Sequence, residues 1–149
     1  MPFEDPRCLM CRKCCIETEM ILLPSDIERI KRFTELDIDR FAVFRDGFYR
    51  LRNVDGRCIF LDDNGCRIYP IKPIGCSIYP LIFDSIHGPV IDSLCPLAKE
   101  FIYRCRDIEE ALNLLKDFLR ELEDSYSYRV NWNTFYRESK RLIDMCNRR

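Results

Sequence analysis

Hydrophobic and polar positions change over short distances in the first two-thirds of the chain, then settle into a three- and four-residue rhythm. From Pro96 onward Ala98, Ile102, Cys105, Ile108, Leu112, Leu115, Leu119 and Leu122 recur at helical spacing. That stripe predicts a long helix with one face turned to a core, broken near Asp107, a residue suited to an N-cap. After the linker "DSYSYRVN", a second helix is predicted over about residues 134–146, with Phe135, Leu142 and Cys146 inward. The last third thus reads as a helical hairpin packed against what precedes it. All eight prolines and all five glycines fall at or before Pro96. The boundary between a turn-rich part (1–96) and a helical part (97–149) follows from that.

In the turn-rich part, "LPSDIERIKRF" carries a helix start. Ser25 is placed as N-cap, Glu28 three residues on completes a capping box, and Ile27, Ile30 and Phe33 form the apolar face. A short helix is expected around Ile38–Phe44. "GFYRLRNVDGRCIFLDDNGCRIYP" predicts short strands with hairpin turns at Asp55-Gly56 and Asn64-Gly65, and "PLIFDSIHGPVIDSL" another turning at His87-Gly88. "CRIYP" at 66–70 recurs as "CSIYP" at 76–80. Because proline pushes the residue before it toward extended geometry, similar turns are expected to present Cys66 and Cys76.

A chain of 149 residues fits one domain, and a formal net charge of -1 gives no reason to expect nucleic acid. No apolar run reaches membrane-spanning length, and "MPFEDPRC" lacks the layout of a secretory signal. A cytoplasmic location is the expectation. Ten cysteines in a reducing compartment favour metal or redox chemistry over disulfides. The absence of glutamine and the presence of only three alanines, beside many charged residues, hint at a thermophile, where cytosolic disulfides occur. Disulfides therefore stay as an alternative.

The cysteines are grouped. "CLMCRKCC" holds Cys8, Cys11, Cys14 and Cys15; Cys58, Cys66, Cys76 and Cys95 follow at wider spacing, and Cys105 and Cys146 trail. Cysteines at i, i+3 and i+6 can turn onto one centre, the spacing by which bacterial ferredoxins hold three corners of a [4Fe–4S] cluster with a remote fourth. Cys95-Pro96, the one Cys-Pro pair, makes Cys95 a candidate remote ligand. A Cys₄ zinc site usually combines two close pairs. The later gaps offer no second pair and His87 is the single histidine, so spacing favours iron–sulfur over zinc. Adjacent Cys14 and Cys15, if extended, point apart and should not share one centre. Eight thiols suffice for two four-thiolate centres: two clusters, or one cluster and one zinc. Arg7, Arg12, Lys13, Arg67 and Lys72 flank the cysteines and could offset thiolate charge.

"CLMCRKCC", "LPSDIERI" and "CIFLDDNGCRIYPIKPIGCSIYP" together resemble the CxxCxxCC, or YkgJ-like, family, named for zinc or iron chelation. The resemblance spans about residues 8–96. It implies that Cys8, Cys11, Cys14, Cys15, Cys58, Cys66, Cys76 and Cys95 are the metal-binding set. Two departures stand out: Arg12 where the family often has glycine, and Lys72-Pro73 where it has Arg-Pro. The second replaces a bidentate guanidinium with a point charge. The family includes the flagellin lysine N-methylase, which brings in methyl transfer.

Other residues have plainer readings. Cys105 and Cys146 sit on apolar helical faces and are expected to pack as small hydrophobes. Tyr69 and Tyr79 could shield a cluster but more often only pack; His87 reads as an exposed turn residue. There is no GxGxxG, Walker loop, HExxH or radical SAM CxxxCxxC. The expected protein is α+β: an irregular, cysteine-rich, metal-organised core with short strands and hairpins, closed by a C-terminal helical hairpin. Its expected role is an iron–sulfur protein with one or two [4Fe–4S] clusters, acting in electron transfer or as an accessory or maturation factor beside a protein redox or enzyme partner. A structural zinc (Zn²⁺) module and a catalytic iron–sulfur or methyl-transfer enzyme are the alternatives.

Overall fold

A computed structural model of the chain describes residues 1–148 and divides into two compact units, one of Asp5–Cys76 and one of Met1–Glu4 with Ser77–Arg149. The fold is α+β, with seven helices and short strands in four antiparallel pairs among the described residues.

The first unit opens with α1 (Pro6–Cys11), capped by the Asp5 side chain, and a 3-10 turn at Lys13–Cys15. Helix α2 (Pro24–Thr34) starts earlier than the capping-box reading predicts. Pro24, with φ already suited to a helix and no N–H to lose, takes the first position. Leu23 becomes the N-cap, and Asp26, not Glu28, accepts from its backbone N–H at 2.9 Å. Helix α3 (Ile38–Phe41) is shorter than expected, because the chain turns into β1 (Ala42–Arg45) at Ala42.

Hairpins then follow in series. β1 pairs with β2 (Phe48–Leu51), β3 (Asn53–Val54) with β4 (Arg57–Cys58), and β5 (Leu61–Asp62) with β6 (Gly65–Cys66). Asp55 and Gly56 both have positive φ, 52° and 79°, the two-residue turn that matches strand twist. The next turn lies one residue earlier than Asn64-Gly65, on Asp63 and Asn64, since Asp62 pairs with Gly65. Segment 16–22 lies beside these hairpins through bridges Ile16–Arg57 and Ile21–Arg50. The core of this unit gathers Leu22, Ile27, Ile30, Phe41, Leu51, Phe60 and Ile68 around Cys58; Cys15, Cys66 and Cys76 pack against it. The thiols therefore border a dry core.

Helix α4 (Ile74–Ile78) leads into the second unit. There β7 (Leu81–Asp84) and β8 (Gly88–Ile91) form a hairpin whose three-residue loop, 85–87, turns just ahead of Gly88. Helix α5 (Ala98–Phe101) ends before residue 102, and α6 (Cys105–Ser125) begins two residues ahead of Asp107, which sits in its first turn. The predicted stripe is the buried face: Ile108, Leu112, Leu115, Leu119 and Leu122 are all buried, joined by Ala111. Near the end of α6, Glu123 accepts from the Val130 N–H of the linker at 2.8 Å and from the Trp132 indole at 3.1 Å. Helix α7 (Trp132–Cys146) begins slightly earlier than predicted, capped by Asn131, and buries Phe135, Leu142 and Cys146. Phe3 stacks on Phe101 with ring centroids 5.2 Å apart. Cys105 and Cys146 form a disulfide that joins the start of α6 to the end of α7. This corrects their reading as separate core residues: an antiparallel hairpin brings its two ends together. No helix among the described residues is long and apolar enough to cross a membrane.

Candidate metal centre

Strand register brings the first pair of thiols together. Ile16 bridges Arg57 in antiparallel sense, so one step on, Cys15 comes opposite Cys58. The Glu17 N–H, donating to the Gly56 carbonyl at 2.7 Å, holds that register. Cys66 ends the next hairpin, and the Arg67 N–H ties it back to the Phe60 carbonyl at 2.8 Å. Cys76 arrives on the first turn of α4. The two "IYP" copies thus present their cysteines differently, Cys66 from a strand end before a 3-10 turn and Cys76 from a helix followed by a cis Tyr79-Pro80 bond. The similar turns expected from the repeat do not form.

Five thiols are close enough to perturb one another. Cys15 feels Cys14, Cys58 and Cys76; Cys58 feels Cys66 and Cys14; Cys76 feels Cys58, Cys14 and Cys66. Cys14 and Cys15 belong to the same cluster. The expectation that they point apart assumed extended backbone, whereas the 3-10 turn at Lys13–Cys15 curls them together. A hydrogen bond from the Cys15 thiol to the Cys14 sulfur, helped by the Lys72 charge, lowers Cys14 to about 7. The same bond, then burial and the neighbouring thiols, raises Cys15. Burial is the main cause that pushes Cys58 up to about 11 and raises Cys66 and, most of all, Cys76. One thiolate forms readily here, and each further one meets a dry wall and like charges.

Soft thiol donors that resist joint ionisation until a cation shares their charge are what a zinc or iron site requires. The donor set fits such a group. Among the described residues, no three cysteine, histidine, aspartate or glutamate side chains are already arranged to hold a metal ion. Cys8 and Cys11 lie one turn apart on α1 and are exposed; Cys95, half-buried, precedes α5 in the other unit.

The flanking cations divide by task. Lys72 faces Cys14, Cys66 and Cys76 and lies 4.2 Å above the Tyr69 ring. Arg7 is held by Asp5, and Arg67 lies over Phe60 while donating to the Ile59 carbonyl at 3.3 Å. Arg12 donates to the carbonyls of Leu9, Asp62 and Asp63, tying the end of α1 to the β5–β6 turn. Arg12 has φ 54°, a left-handed conformation that suits glycine. Here the side chain's contacts offset the cost. Tyr79 donates to Asp92 at 2.7 Å, and His87 is an exposed turn residue beside Asp84. Asp26, fully buried beneath α4, is a residue that sequence reasoning passed over; its place in "LPSDIERI" reads as ordinary helix.

Neither curated proteins nor solved structures gave a match to the chain. The sequence model of one family matches residues 7–112, the span that carries the cysteine runs and the clustered thiols, and its description reads "CxxCxxCC: Putative zinc- or iron-chelating domain". With most of its length matched, the chain belongs to the CxxCxxCC family.

Proposed function

We propose that the chain is an iron–sulfur protein whose thiol centre serves electron transfer with a protein partner, directly or as an accessory to a larger enzyme. The observation that carries this reading is the meeting of Cys14, Cys15, Cys58, Cys66 and Cys76 at the edge of one core. A [4Fe–4S] cluster would supply one-electron exchange, and four of these five thiols would hold it. The residues around it have separable tasks. The apolar wall behind Cys58 keeps water from the inner thiolates, which favours a compact charge. Lys72 offsets negative charge on the side of Cys14, Cys66 and Cys76, and so bears on the potential. Cys14 is exposed, so an electron partner can approach from its side. Cys8, Cys11 and Cys95 complete the proposed eight-cysteine metal set.

Iron, zinc and acid-labile sulfide measured on anaerobically purified protein test the reading. Iron and sulfide near four per chain, with a broad absorbance near ~400 nm, are expected for one cluster. Zinc without sulfide would replace the electron-transfer reading with a structural zinc module.

A further inference from the structure

Asp26 is completely buried, the one charged residue that is buried as a whole among the described residues. Its oxygens are engaged by donors from three places. Oδ2 accepts from the Leu23 N–H at 2.9 Å; Oδ1 accepts from the Ile74 N–H at 3.0 Å and from Arg29 Nη2 at 2.7 Å. The same Arg29 nitrogen donates to the Lys72 carbonyl at 3.3 Å. Taking a carboxylate out of water costs several kcal/mol unless donors surround it. A residue needed only to start α2 could do so from the surface, as most N-terminal carboxylates do.

What the burial adds is a tie between α2 and residues 72–74, 48 positions further along the chain. Ile74 opens α4, and the N–H groups of a helix's first turn have no partner within the helix. Asp26 therefore caps α4 from another helix. Cys76 is the third residue of α4, so the setting of that first turn is the setting of its sulfur. Gly75 restricts the same turn from another side: a Cβ there would lie 2.2 Å from Met20 Sδ.

We propose that Asp26 is a positioning residue for the thiol centre: by capping α4 from α2 it sets the Cys76 sulfur among Cys14, Cys58 and Cys66, and is not itself a ligand. The proposal deepens the metal-centre reading and rests on it.

Two variants test it by different routes. Asp26→Asn turns one acceptor oxygen into a donor amide that meets N–H groups. Ile74→Pro deletes the capped N–H together with the half-buried Ile74 side chain, at a helix position where proline is tolerated, so Ile74→Ala serves as its control. Each is compared with wild type, Cys76→Ser and the Asp26→Asn/Cys76→Ser double variant. Metal-free chains are titrated with Co²⁺, reading affinity and thiolate-to-cobalt absorbance; without metal, iodoacetamide labelling of each cysteine is timed by peptide mass.

Both variants should bind Co²⁺ about 10- to 100-fold more weakly, with absorbance per cobalt lower by about a quarter, one thiolate in four. Cys76 should label faster, with Cys58 and Cys66 little changed, and Asp26→Asn should add nothing to Cys76→Ser. Wild-type behaviour in both single variants would overturn the proposal, as would equal acceleration at Cys58, Cys66 and Cys76. Should Asp26→Asn fail to fold, Ile74→Pro carries the same two readouts. A wild type that takes up neither cobalt nor, on anaerobic reconstitution, iron and sulfide through thiolates would overturn the metal-centre reading, and this role with it; a wild type that binds while the variants match it would overturn this role alone.

Discussion

The Arg12 guanidinium donates to the Asp63 carbonyl at 3.1 Å, across 51 positions of sequence, and so ties the end of the opening cysteine helix to the turn that precedes Cys66. Two terms of opposite sign meet at this residue. The left-handed φ of 54° costs a non-glycine residue about 1 kcal/mol, while the guanidinium reaches three carbonyls. Arg12→Ala keeps the backbone cost and loses the contacts; Arg12→Gly loses both. Denaturant unfolding should therefore rank Arg12→Gly above Arg12→Ala by about 1 kcal/mol. Equal stabilities would mean that the backbone at residue 12 relaxes when the side chain is cut.

Gly75 and Met20 offer a second test, through packing. Gly75→Ala places a methyl where the flexible Met20 thioether lies; because the thioether can give way and alanine favours the helix, the net loss should stay below about 1 kcal/mol. Shortening the neighbour should return part of that loss, so Gly75→Ala/Met20→Ala is expected to be more stable than the two single effects added together. Strict additivity in the cycle would show that Met20 simply swings aside.

The Cys105–Cys146 disulfide closes a loop spanning 41 positions in the helical hairpin. Unfolded without reductant, the metal-free chain should expose eight alkylatable thiols, and ten after reduction. Cys105→Ser/Cys146→Ser should lower the stability of the hairpin by about 2–4 kcal/mol and leave metal content unchanged. Ten free thiols before reduction would remove the disulfide from the account.

Acid should loosen the β7–β8 hairpin in a defined direction. Asp84 accepts from the backbone N–H groups of His87 at 2.8 Å and Ile86 at 2.7 Å, and these bonds lower its carboxyl below the ordinary aspartate value. A lowered folded pKa contributes stability that is fully present above the unfolded value and is lost as pH falls through the folded one. The Tm difference between wild type and Asp84→Asn should hold at neutral pH and disappear below the ordinary aspartate range. A difference that grows in acid would contradict the assignment.

What could be read from the sequence, and what could not, divides along physical lines. The α6 stripe from Ile108 to Leu122 was legible because a long amphipathic helix repeats its signal over many turns. The Asp55-Gly56 hairpin was legible because few residues accept two successive positive φ values. Cys14 and Cys15 were misjudged, since their common direction depends on a 3-10 turn that three residues do not announce. Cys66 and Cys76 share a local motif but not a setting: one ends a strand pair, and the other follows a helix start capped by Asp26 from 48 positions away. The role of Asp26 is a long-range contact that no local pattern contains. The disulfide is likewise a product of hairpin closure, invisible until α6 and α7 are placed side by side.

The most direct test of the central claim is iron and sulfide content across single cysteine variants, each reconstituted anaerobically and compared with the Cys105→Ser/Cys146→Ser chain. The account predicts that Cys58→Ser, Cys66→Ser and Cys76→Ser each lose most of the iron and sulfide while the disulfide variant keeps both. Retention of full iron and sulfide by all three would contradict a centre built on these thiols.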